Sequence, residues 1–228
     1  MSVEEQILEI IQKSKDTYAA LTSYSDEGKT VATTSGQNLT HNFSIKLSRP
    51  NLYQIKWEQP VQTFFTNRGA VWSSGDGDFL VMGDGKPAKR SNLENALASA
   101  AGISGGASAT IPGAFFQKVM GSQLNLVKPA GVKQLADEKV GEVDCYVFSD
   151  EFKGRKRTIW IGKKDFLIHQ TRTVTSAAAM KAMMDEAAKS HPEAAARMPK
   201  MEYTDTTSTE THENIVLNPK FSPADFAR

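Results

Sequence analysis

A chain of 228 residues with a formal net charge of +1 carries no global field that would draw nucleic acid or an anionic membrane. Hydrophobic residues at 39% and charged residues at 23% are ordinary for a soluble globular protein, and the single cysteine, Cys145, excludes an intrachain disulfide. No stretch approaches the length of a transmembrane helix.

The N-terminus, Met1-Ser2-Val3-Glu4-Glu5, runs directly into a predicted helix over 3–20, with Ile7, Ile10, Ile11, Tyr18 and Leu21 at helical spacing. It shows no basic n-region or apolar h-region, which leaves a cytoplasmic protein or one whose signal peptide is removed. Strands are predicted over 23–34, 39–48 and 52–58, turning at Gln37-Asn38 and at Pro50-Asn51. In the second, Phe43, Ile45 and Leu47 share a face; in the third, Tyr53, Ile55 and Trp57 do. Segments 63–66 and 70–73 pair around Asn67-Arg68-Gly69, and Gly75-Asp76-Gly77 turns the chain into 79–82. Connections this short predict a meander.

The middle changes character. A helix over 92–101 is followed by Gly102 to Ser108, small residues expected to be too flexible to pack well, and by a short helix over 113–120 presenting Phe115, Phe116 and Val119. Strands resume over 132–139, 142–149, 157–161 and 166–174. Residues 176–199 read as a helical insert with Met180, Met183, Met184 and Ala187 on one stripe, broken at His191-Pro192. A Thr-rich strand over 203–217, expected to lie exposed near an open edge, and a short tail over 221–226 complete one domain spanning 1–228. The basic clusters at 86–90 and 153–157 read as solvated loops.

A sheet with one apolar face must cover it with a second sheet, helices or a ligand. Phe43, Ile45, Leu47, Tyr53, Ile55, Trp57, Phe65, Trp72, Phe79 and Trp160 therefore either line a lipid cavity or pack against helices as an ordinary core. Phe115 and Phe116, on a loosely tethered helix, are the better candidates for a lid; the methionine stripe is the second.

The residues that carry chemistry form no constellation. His41, His169, His191 and His212 are scattered, and His212 and Glu213 point to opposite faces of a strand, so no metal site is expected. Asp76, Asp78 and Asp84 belong to hairpin turns rather than a calcium loop. The Gly-x-Gly pairs at 75–77 and 83–85 join strands, and no Gly-x-Ser-x-Gly elbow is present. Cys145, between Val143 and Phe148, reads as a buried, inert thiol. Neither catalytic residues nor a cofactor is expected.

Three stretches carry a family resemblance. Tyr18-Ala19-Ala20-Leu21-Thr22-Ser23-Tyr24-Ser25 leads a helix into a first strand. Phe43-Ser44-Ile45-Lys46-Leu47-Ser48-Arg49-Pro50-Asn51-Leu52-Tyr53 has an apolar strand, an Arg-Pro turn and a next strand. Thr158-Ile159-Trp160-Ile161-Gly162-Lys163-Lys164-Asp165-Phe166-Leu167-Ile168 is similar to a "Trp-Ile-Asp" hairpin, with Gly162 in place of the usual Asp. Together these resemble the LolA/LolB-like lipoprotein-carrier superfamily, nearest its predicted periplasmic proteins of unassigned function.

The resemblance implies a mainly β fold with helices (α+β): a strongly curved antiparallel sheet, an incomplete barrel covered by helices. It further implies a non-enzymatic periplasmic or envelope protein, its signal peptide removed, that binds or carries a lipid or lipidated partner, such as the acyl chain of a lipoprotein, in an apolar cavity. The alternative is a sensory or protein-interaction domain of the same fold with an envelope protein as partner. A hydrolase has no nucleophile–base pair to recommend it.

Overall fold

The computed structural model describes residues 3–60, 67–117, 131–190 and 202–227. Helix α1, Val3–Ala20, leads into a meander of β1 Ser23–Thr34, β2 Gln37–Ser48, β3 Leu52–Glu58, β4 Arg68–Ser73, β5 Asp78–Met82 and β6 Ala88–Arg90. Helices α2, Leu93–Ala101, and α3, Thr110–Phe116, follow. Next come β7 Lys133–Gln134, β8 Glu138–Val140, β9 Val143–Phe152, β10 Arg155–Gly162 and β11 Ile168–Thr175. Helix α4, Ala177–Ser190, precedes β12, Thr206–Leu217, and a 3-10 turn over Pro223–Phe226.

All described strands join one antiparallel sheet that does not close into a barrel. Its order is β6-β5-β4-β3-β2-β1-β12-β11-β10-β9-β7, with β8 on β9. Two meanders thus run outward from a central β1–β12 pair, which corrects the reading of the Thr-rich strand as an edge: β12 is bonded on both sides. Part of each basic cluster is also strand rather than loop, since Ala88–Arg90 pairs β5 and β10 begins at Arg155. The expected strand over 132–139 is instead two short pieces on the outer edge of β9. The segment 63–66, Phe65 and the end of the helical insert beyond Ser190 lie outside the described residues.

Cross-strand register sorts the first meander into rows. Leu47 faces Tyr53, Ile45 faces Ile55, Phe43 faces Trp57, and Val71 and Leu80 extend the middle row. These residues form the principal core with Ile7, Ile11 and Tyr18 of α1, Leu97 of α2, and Ile111 and Phe115 of α3. Full burial of a side chain this size is worth about 1.5–3 kcal/mol, so this face of the sheet (the inner face below) is where the stability lies. In the outermost of these rows, Phe43 and Trp57 are flanked by Gly28 and Gly69, and a Cβ at either glycine would strike the neighbouring ring.

Arg49 ties the helices to the sheet. Its guanidinium donates to Leu21 O at 2.8 Å, Tyr18 O at 3.2 Å and Phe115 O at 2.7 Å, and stands 4.5 Å from the Phe115 ring centroid. It satisfies carbonyls at the C-terminal ends of α1 and α3, where helices leave acceptors unpaired and favour cations. The Arg-Pro turn is therefore an anchor for two helices.

The segment between α2 and α3 corrects the expectation of loose packing. Ser104, Ala107 and Ser108 are buried; Ser108 Oγ donates to Leu97 O at 2.9 Å, and Ala109 N to Gly106 O at 2.8 Å. Gly105 and Gly106 have φ of +68° and +106°, which glycine adopts without steric cost, and let the backbone lie close over His41, Thr30 and Glu210.

Candidate functional site: a polar cavity on the inner face

The second half of the inner face follows the same two-residue period with different side chains. Register places Phe152, Arg155, Thr175 and Thr206 in one row across β9 to β12. Asp150, Arg157, Thr173 and Ser208 make the next row; Ile159, Thr171 and Glu210 continue the third from Phe148. These rows and the α2–α3 segment, through Gly105, Gly106, Ala109 and Thr110, enclose a cavity of ≈ 400 Å³. That is within the range of small-molecule sites, about 300–1,000 Å³. The cavity grades from exposed Phe152 and Arg155 at its outer end to buried Glu210 and Ile159 at its inner end.

At that inner end stands a buried polar cluster. Asp26 Oδ2 accepts from Tyr24 Oη at 2.7 Å and lies 2.8 Å from His212 Nδ1; Thr110 Oγ1 donates to Glu210 Oε2 at 2.7 Å. His212 Nε2 is 3.2 Å from Glu210 Oε1, an ion-pair distance without hydrogen-bond alignment. Burial alone would depress the His212 imidazolium, but the Asp26 carboxylate and Glu210 outweigh it and lift the group to about 10. Burial holds Asp26 above its ordinary value in spite of the stabilising His212 and Tyr24 contacts. Asp26 Oδ1, Thr30 Oγ1, His41 Nδ1 and Glu210 Oε1 have no hydrogen-bond partner among the described residues. Buried polar atoms are ordinarily satisfied; of these four residues, Glu210 alone lines the cavity.

The expected lining residues divide. Phe43, Ile45, Leu47, Tyr53, Ile55, Trp57, Phe115 and Phe116 come together in the principal core, already filled by helices, and only Phe43 and Trp57 border an open groove, of ≈ 860 Å³. Trp72 and Phe79 stack at 5.5 Å in a separate cluster with Ala70 and Val81. Trp160 packs with Cys145 and Val147, its indole N–H donating to Glu138 Oε2 at 2.8 Å. In-phase residues of β2 and β3 point to the core, whereas Trp72 and Trp160 each alternate with a core residue, Val71 and Ile161, and so face away.

Phe115 and Phe116 are anchored rather than loosely tethered. Their rings meet edge-on at 4.9 Å, and Phe116 meets Tyr53 at 6.3 Å. The methionine stripe is less covered: Met183 is 48% exposed and Met180 and Met184 are half-buried. Burial pushes the Cys145 thiol up to about 11, the condition of an unreactive cysteine. At the departure from the "Trp-Ile-Asp" pattern, a Cβ on Gly162 would collide with Asp165 Oδ1, and Asp165 fills that place, accepting from Leu167 N at 3.0 Å and pairing with His169 at 2.9 Å. Among the described residues, no group of three or more His, Cys, Asp or Glu could hold a metal ion, and no helix is long and apolar enough to cross a membrane.

An open antiparallel sheet whose inner face is covered by helices, with a cavity left beside the covered part, is the architecture that the resemblance implied. The chain is similar in structure to LprF from Mycobacterium bovis, at 8% identity and a TM-score of 0.50, over 96% of this chain and 95% of that one. It also matches a LolA superfamily protein, NE2245 from Nitrosomonas europaea, at 10% identity and a TM-score of 0.40, over 97% of both chains. A DUF1329 family protein from Desulfovibrio piger matches at 10% identity and a TM-score of 0.42, over 97% of both chains. At these identities the likeness is one of fold. No protein-family model matches the sequence, and no curated protein sequence does so.

Proposed function

We propose that this protein is a non-enzymatic binding or carrier protein of the cell envelope that holds an amphiphilic ligand, a lipid or lipidated partner, between β9–β12 and the α2–α3 segment. The observation that supports this reading is the ≈ 400 Å³ cavity left on the inner face of the sheet, polar on its strand side and walled by a glycine-bearing turn. The ligand's polar end lies among the hydroxyls and charges of the three rows. Its apolar part runs along Ile159, Ala109 and Phe152, and each buried methylene is worth about 0.8 kcal/mol. Phe43, Ile45, Leu47, Tyr53, Ile55, Trp57, Phe115 and Phe116 pack in the core beside it.

Organic extraction of the natively purified protein, followed by lipid mass spectrometry against a mock-purified control, tests this. A lipid at near-stoichiometric amount, absent from the control, is the expected result. A protein that yields none, and that also leaves an environment-sensitive apolar dye unbound, overturns the carrier reading in favour of a protein-interaction domain.

A further inference from the structure

The basic hairpin at 153–157 contributes two residues, Arg155 and Arg157, to the cavity wall. Arg155 and Arg157 are two residues apart on β10, so both project onto the inner face, where they line the cavity. Directly across β11 stand Thr175 and Thr173, and beyond them on β12 stand Thr206 and Ser208. Two guanidiniums thus share a wall with four hydroxyls, more donors than the two oxygens of one carboxylate can use.

The local charges are not equivalent. Arg157 pairs with Asp150 at 3.4 Å, and Glu210 is balanced by His212. Arg155 has no carboxylate partner among the described residues, and its exposed side chain stands at the cavity's outer end. At the other end Glu210 lines the cavity, its Oε2 accepting from Thr110 Oγ1; a carboxylate oxygen can accept a second donor. Neighbouring rows lie about 7 Å apart, two residues along a strand. An anion on the Arg157 row and a donor at Glu210 would therefore fit on one small head group.

We propose that the two outer rows form a subsite for a phosphate group of the bound ligand, held by Arg155 and Arg157 with the Thr173, Thr175 and Ser208 hydroxyls, and that Glu210 accepts a hydroxyl of the same head group. A guanidinium fork suits phosphate oxygens, and charge-assisted bonds of this kind are stronger than neutral ones. The inference rests on the carrier reading for the lipid part of the ligand; the phosphate subsite itself stands on the cavity rows.

Calorimetric titration of the full chain, freed of bound lipid, tests both parts with three probes. These are lysophosphatidylglycerol below its micelle concentration, monoacylglycerol of the same chain length, and glycerol 3-phosphate. The phospholipid is expected to bind about tenfold or more tightly than the neutral lipid, and Arg155→Gln, on an exposed side chain, is expected to abolish that difference. Arg155→Lys should restore part of it. Glycerol 3-phosphate binding in the same Arg155-dependent way makes a free phosphate ester the ligand; binding of the lysolipid alone makes it a lipid head group. Equal binding of the two lipids, unchanged by Arg155→Gln, overturns the phosphate subsite and leaves the carrier reading intact. Glycerol 3-phosphate bound while neither lipid is bound overturns the carrier reading alone, and no binding of any probe overturns both.

Discussion

The two halves of the inner sheet face share a periodicity and differ in what they present. On β2 and β3 the inward positions are Phe43, Ile45, Leu47, Tyr53, Ile55 and Trp57, and three helices contribute to the core they form. On β10 to β12 they include Arg157, Thr171, Thr173, Ser208 and Glu210, and the α2–α3 turn stands across a cavity from them. Apolar surface left wet costs about 25 cal/mol per Å², so the first half gathers cover at its own expense of chain entropy. Hydroxyls and charges impose no such demand, because water or a polar ligand satisfies them. One face of one sheet is thereby divided by composition into a packed core and a cavity wall.

That contrast is broken most severely at its two anchors. Phe115→Ala, in the filled half, is expected to lower unfolding free energy by about 3–5 kcal/mol, from lost burial plus the cavity left behind; denaturant titration measures it. His212→Leu leaves Asp26 and Glu210 without their shared partner, and removing one member of a buried pair costs about 3–5 kcal/mol.

The same histidine gives a pH signature. Its folded-state value, about 10, lies above its ordinary 6.5, so its contribution is fully present below pH 6.5 and is lost as pH rises through 10. Thermal unfolding across that window should show declining stability in the native protein, and a shallower decline in His212→Leu.

Smaller effects sharpen the comparison. Arg49→Met removes charge-assisted bonds to three carbonyls and is expected to cost about 1.5–3 kcal/mol, without altering the cavity rows. Thr173→Val, in the open half, should change stability by less than about 0.5 kcal/mol. A Thr173→Val effect as large as that of Phe115→Ala would mean that the second half is packed core as well.

Alternation carried much of the fold into view from the residues. Phe43, Ile45 and Leu47 faced the interior with Tyr53, Ile55 and Trp57, as their spacing requires. The same rule, carried across a turn without fixing the phase of the next strand, put Trp72 and Trp160 with them, although their neighbours Val71 and Ile161 hold the inward positions. Register is a tertiary property, and one residue of offset exchanges the faces.

The polar cluster was hidden for another reason. Asp26 and His212 are 186 residues apart and meet only because β12 returns to the centre of the sheet beside β1. A signal was nevertheless present: Asp26 is in phase with Tyr24, and Glu210 with His212, so polar residues stood at inward positions of both strands. The glycines of 102–108 were similarly ambiguous, because the residue that gives a free chain its flexibility is also the one that permits close backbone approach.

The central claim, that ligand occupies the open half and not the filled half, is tested most directly by blocking the cavity. Thr173→Trp places an indole in the middle row of the open half, where there is room for it. The lipid content of this variant, measured by extraction and mass spectrometry beside the unmodified protein, is the decisive quantity. With its melting temperature unchanged, Thr173→Trp should carry no lipid while the unmodified protein carries about one equivalent. A folded Thr173→Trp that retains its full equivalent would place the ligand elsewhere and contradict this account.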